Sequence, residues 1–133
     1  MPRLLRESPV NAIWEGSGNI QCLDLMRAVR KSPDVLEAFL EEVKRARGAS
    51  ASLDAWVRGL EQDIGALSEY RAREFADRMA LALQAALLQQ HAPAFVADAF
   101  CASRLTGVGH RHYGALPSDV DCAAIIERAT PRV

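Results

Sequence analysis

The chain has 133 residues, 16 Lys/Arg against 17 Asp/Glu, a formal net charge of −1 and a sequence pI near 6.3. Half of it is hydrophobic and a quarter charged, which describes one globular domain with a real core and excludes a disordered, fibrous or globally basic nucleic-acid-binding chain. Cys22, Cys101 and Cys122 are odd in number and lack CxxC spacing, so neither a disulfide scaffold nor a zinc site is indicated, and reduced cytoplasmic thiols are expected. The opening MPRLLRESPV has arginines but no apolar h-region, and the most apolar run, 79–88, is about half of the ~20 residues a membrane span needs. A cytoplasmic protein without a membrane partner is expected.

Residues 1–16 read as irregular, with Pro2 and Pro9 lacking donors and Gly16 and Gly18 free to adopt unusual dihedrals. A first helix follows, with Ile20, Leu23, Met26 and Ala28 on one face. Ser17 or Asn19 is its candidate cap, and Arg27, Arg30 and Lys31 suit its negative end. Ser32-Pro33-Asp34 is a helix start in cap, first-position and dipole order. Val35, Leu36, Phe39, Leu40 and Val43 form the stripe of that second helix, and 48–52 reads as a linker.

Leu53, Trp56, Val57, Leu60, Ile64 and Leu67 predict a third helix. Gly59 and Gly65 weaken it by up to ~1 kcal/mol each unless a close neighbour needs the space. A fourth helix spans about 68–90. Its first half is charged, and its second half, MALALQAALL, is apolar nearly all round, which places it in the middle of the bundle. Ala92-Pro93 ends it. A fifth helix carries Phe95, Val96, Ala99, Phe100 and Leu105 and stops near Gly107. A short last helix after Ser118-Asp119 turns Val120, Ile125 and Ile126 inward and ends before Pro131. With no alternating strand pattern, the predicted fold is all-α: an antiparallel bundle of five to six helices behind an irregular N-terminal segment.

Three groups could carry chemistry. Glu15, in Trp14-Glu15-Gly16-Ser17-Gly18-Asn19, is a carboxylate on a glycine-flanked loop. It can approach a substrate and act as a general base, or it can be a solvated acid beside a capped helix start. His110 and His112 have His-x-His spacing with His91 elsewhere, but without an obvious third ligand they read as a surface loop; no metal is expected. Arg71, Arg73 and Arg78 could meet phosphates, but Glu69, Glu74 and Asp77 lie among them at intrahelical pairing distance, so a salt-bridged face is the default. Lys44, Arg45 and Arg47 form a second small basic patch at a helix end. Trp14 is off the apolar stripes and should pack beside a ligand or another domain.

The stretch MPRLLRESPVNAIWEGSGNIQCLDLMR resembles the C-terminal part of the acyl-CoA dehydrogenase family, in its alkylation-response, AidB-type branch. The resemblance lies in Arg6-Glu7, Trp14, Glu15-Gly16 and Ser17-Gly18-Asn19, and continues more loosely through DAFCASRL and IIERA. It implies an FAD-dependent oxidoreductase that removes two hydrogens from the α and β carbons of an acyl-CoA thioester. Glu15 would be the base, Gly16 would lie against the thioester, and Ser17, Gly18 and Asn19 would touch FAD held mainly by another subunit of a homo-oligomer. Residues 1–34 would then match the end of the dehydrogenase domain and 35–133 a helical C-terminal extension. The chain reads as a fragment of a longer parent, inactive by itself because such enzymes also need an N-terminal helical domain and a β domain. In this branch the extension is associated with double-stranded DNA. Residues 35–133 hold 11 Lys/Arg against 13 Asp/Glu, so DNA binding would need a local basic face drawn from Lys44, Arg45, Arg71, Arg73, Arg78 or Arg111. The alternative function is therefore a DNA-binding or self-assembly module with vestigial dehydrogenase chemistry.

Overall fold

A computed structural model describes residues 2–12, 14, 17–107 and 114–131. Among them are seven α-helices and no strand: α1 (Pro2–Glu7), α2 (Gly18–Lys31), α3 (Pro33–Lys44), α4 (Ala51–Ile64), α5 (Ala72–His91), α6 (Ala94–Arg104) and α7 (Cys122–Ala129). The all-α bundle expected from the sequence is the fold.

Of the segment expected to be irregular, residues 2–12 are helical. Pro2 occupies the first position of α1, where its missing N–H is not needed, and Pro9 falls within a 3-10 helix, Ser8–Ala12. Arg3 Nε donates to Glu7 Oε1 at 3.0 Å, and Ser8 Oγ donates to the Leu5 carbonyl. Local bonds of this kind hold a short helix that buries none of its residues.

The start of α3 is as read: Ser32 is the N-cap, Pro33 the first helical residue and Asp34 in the first turn. The Ser32 side chain makes no capping bond, and its backbone N–H closes α2 on the Ala28 carbonyl. The linker is narrower than 48–52. Gly48 takes a left-handed φ of +85°, which only glycine adopts without strain, and Ser50 already caps α4 by accepting the Leu53 N–H. Helix α4 ends at Ile64, before Gly65, and a 3-10 turn (Glu69–Arg71) precedes α5.

Helix α5 is central, as its apolar second half implies. It packs against α2, α3, α4 and α6. Ala82, Ala85 and Ala86 are fully buried on it, so neighbouring helices come close to its backbone, and Phe75 and Met79 are buried in its first half. Leu53 and Leu60 of α4, Val43 of α3 and Met26 of α2 complete the core. Burying a side chain of that size contributes about 1.5–3 kcal/mol.

Two apolar faces differ from expectation. Met26 and Val29 of α2 are buried, but Ile20 and Leu23 are exposed, so the face reaches the core only over its C-terminal half. On α7, Ile125 is half-buried and Ile126 is exposed rather than inward. An eight-residue helix laid mainly against α6 covers only one side. All three cysteines are free. No helix among the described residues is long and apolar enough to cross a membrane.

Candidate functional site

The Trp14–Asn19 segment leads into α2. Glu15 and Gly16 lie outside the described residues, so the site is built from what flanks them. Trp14 is 56% exposed, and no core apolar stripe claims it. Its N–H bonds to the Val10 carbonyl at 3.0 Å, and its own carbonyl accepts from Gln21 Nε2 at 3.2 Å. The bond to Gln21 ties the residue before Glu15 to the first turn of α2.

Ser17 is the N-cap of α2, in extended backbone conformation. Its carbonyl accepts the Gln21 N–H, but its hydroxyl makes no capping bond. The other candidate cap, Asn19, is engaged elsewhere: its Oδ1 accepts from Arg73 Nε at 3.0 Å and Nη2 at 2.6 Å. Gly18 sits under the same guanidinium. A Cβ there would stand 3.4 Å from Arg73 Nη2. The structure therefore brings Ser17, Gly18 and Asn19 together at one helix start, under an arginine from the first turn of α5. The available groups are a hydroxyl, first-turn amides and a cation, and that donor set fits an anionic or carbonyl-rich ligand edge.

The other arginines of the cluster face acids. Arg71 forks onto Glu74 through Nε and Nη2 at 3.0 and 2.9 Å and reaches Asp63 at 3.4 Å. The bond from Arg71 holds the Glu74 carboxyl below its usual range, and Glu74 in turn raises Arg71. Arg78 is hydrogen-bonded to Asp63, and its guanidinium lies 5.3 Å from the Trp56 ring centroid. Trp56 Nε1 donates to the Arg78 carbonyl at 3.0 Å. The Arg71–Glu74 pair is of the kind that the interleaved acids implied, with one addition: Asp63 of α4 gathers Arg71, from the 3-10 turn, and Arg78, from α5. No local pattern marks Asp63 for that role, because its partners lie beyond its own helix.

The second basic patch is also paired. Lys44 meets Glu61 at 2.7 Å and Arg45 meets Glu42 at 2.9 Å, while Arg47 lines a groove with Arg58, Asp54 and Glu61. At the end of α2, Arg27 and Arg30 pair with Asp24 and Glu69. His91 is exposed at the end of α5; His110, Arg111 and His112 lie outside the described residues.

No protein-family model matches the chain. It is 38% identical over 101 residues, 76% of its length, to the Escherichia coli (strain K12) protein named "Putative acyl-CoA dehydrogenase AidB". The chain is related to the acyl-CoA dehydrogenase family. It is also 35% identical over 54 residues, 41% of its length, to "Acyl-CoA dehydrogenase family member 11" of Caenorhabditis elegans. The match spans 19% of the AidB protein and 9% of the Caenorhabditis relative. The acyl-CoA dehydrogenase relationship expected from WEGSGN and its surroundings is thus found over most of the chain.

Proposed function

We propose that these residues are the C-terminal helical region of an AidB-type, FAD-dependent acyl-CoA dehydrogenase-like enzyme in which Glu15 is the catalytic base. The observation that carries the reading is the 38% identity to the AidB protein over 76% of the chain, joined to a glutamate on a glycine-flanked approach to a helix start. Bound FAD would supply the hydride acceptor. Glu15 takes the α proton as the β hydrogen leaves with its electron pair, and the two carbons are left doubly bonded. Gly16 adds no side chain between the acid and the thioester. The Ser17 hydroxyl and the first-turn amides of Gly18 and Asn19 are the groups of this chain that would hold the cofactor.

Because the match covers a fifth of the AidB protein, turnover is proposed for the whole protein that includes these residues. Residues 1–34 then close the dehydrogenase domain, and 35–133, beginning in the first turn of α3, form the extension. Glu15→Gln keeps the shape and removes the base. In the FAD-loaded enzyme it should lower acyl-CoA oxidation by roughly 10²–10⁴-fold with flavin absorbance unchanged. Undiminished turnover would sink the assignment.

A second reading, self-assembly, is favoured by one observation. Leu4, Leu5, Val10, Ile20 and Leu23 of the first three helical segments, and Trp14 between the second and third, are all exposed. Apolar side chains in such number on one end of a chain mark a surface that another protein body covers. Light scattering of the 133-residue chain tests it: a strictly monomeric mass at high concentration would remove this reading.

A further inference from the structure

Several arginines of this chain are neutralised by an acid close in sequence. Arg3, Arg27, Arg45 and Arg71 each pair with one three or four positions away. Arg58 departs from that pattern. Asp54 stands four residues before it and Glu61 three after, yet among the described residues its side chain has no ion pair or hydrogen bond. Both acids are held elsewhere. Glu61 Oε1 meets Lys44 Nζ at 2.7 Å, and the two oxygens of Asp54 accept the Gly48 N–H at 3.2 and 3.3 Å. The Arg47 side chain, in the turn after α3, is likewise unpaired among the described residues.

The two arginines share a groove of about 140 Å³ between α3 and α4. Gly48, at a left-handed φ of +85°, turns the chain there and brings Arg47 to the side of α4 that carries Asp54, Val57, Arg58 and Glu61. The apolar part of the lining is Val43, Leu53 and Val57, all buried. The space exceeds that of a single water and falls short of the several hundred Å³ of a cofactor site.

The lining selects the ligand. Lys44, Arg47 and Arg58 against Asp54 and Glu61 leave one positive charge, which a monoanion balances and a dianion exceeds. That charge is carried by guanidinium groups, whose planar N–H forks match a carboxylate. The apolar wall suits a short alkyl stem.

We propose that the α3–α4 groove binds a short-chain monocarboxylate, with its oxygens on Arg47 and Arg58 and its stem on Val43, Leu53 and Val57. The site is independent of the role of Glu15 and uses no residue of the 14–19 segment.

Titration of the 133-residue chain with sodium butanoate, followed by amide shifts in two-dimensional NMR, tests this. Shifts should be confined to residues 43–48 and 53–61, with a dissociation constant on the order of 1 mM. Arg47→Gln and Arg58→Gln should each weaken binding about five- to tenfold, and the double variant should abolish it with circular dichroism unchanged. Acetate, which lacks the stem, should bind about three- to tenfold more weakly, and butanamide, which lacks the charge, should not bind. Full affinity in the folded double variant overturns the proposal, as do shifts that spread equally to Arg104 and Arg128. Butanamide binding as well as butanoate overturns the part played by the arginines. Inorganic phosphate binding more tightly than butanoate overturns the choice of ligand.

Discussion

Gly59 shows how one missing side chain makes room for another. A Cβ at this position would stand 2.6 Å from Arg78 Nη2, too close for any real contact. Arg78 has little freedom to retreat, since Asp63 holds its tip and its guanidinium lies over the Trp56 ring. Helix propensity alone would favour alanine by about 1 kcal/mol. Displacing a half-buried, paired arginine costs more. We therefore expect Gly59→Ala to destabilise the chain by about 1–2 kcal/mol in urea unfolding, against the usual sign for this substitution. A gain in stability would mean that Arg78 swings aside freely. The sequence marks Gly59 as a weak point that a close neighbour could justify. It does not identify the neighbour, because nothing local to α4 announces an arginine on α5.

At the scale of elements, α5 decides the architecture. Ala82, Ala85 and Ala86 have no exposed surface, and the helices around α5 are seated at alanine distance. Ala85→Leu should therefore overpack the centre and cost about 1–3 kcal/mol by chemical denaturation, even though leucine is a good helix former. A neutral result would mean slack between α5 and its neighbours. The central place of α5 was legible, since an all-round apolar helix has nowhere else to go. So was the α3 start, because Ser-Pro-Asp puts a proline at the first helical position and an acid in the first turn, although the Ser32 side chain makes no capping bond. The helicity of residues 2–12 was not, because two prolines read as breakers until their positions in the turn are known. The site divides in the same way. Glu15 and the residues after it stand out by composition, whereas the Arg73–Asn19 bond joins residues 54 apart and is settled only by how α2 lies on α5.

At the scale of the whole molecule, apolar and charged surface are unevenly distributed. Most of the cations discussed as phosphate contacts are neutralised by acids within 4 Å: Lys44, Arg45, Arg71 and Arg78 all have such partners. The N-terminal end instead shows Leu4 and Leu5 at 66% and 73% exposure. A surface of this kind favours association through apolar area, which salt does not screen. The double variant Leu4→Glu, Leu5→Glu should shift the chain toward monomer in size-exclusion chromatography with light scattering, with helical circular dichroism retained. An unchanged mass would place association elsewhere.

The position of α5 in chain order has a consequence for synthesis. The buried faces of α2, α3 and α4 all meet a helix that leaves the ribosome after them. At about 5–20 residues per second, those faces spend on the order of seconds in water before residue 91 is made. During that interval the nascent chain offers apolar stripes to any chaperone at the exit tunnel, and its folding is timed by translation of α5 rather than by the speed of helix formation.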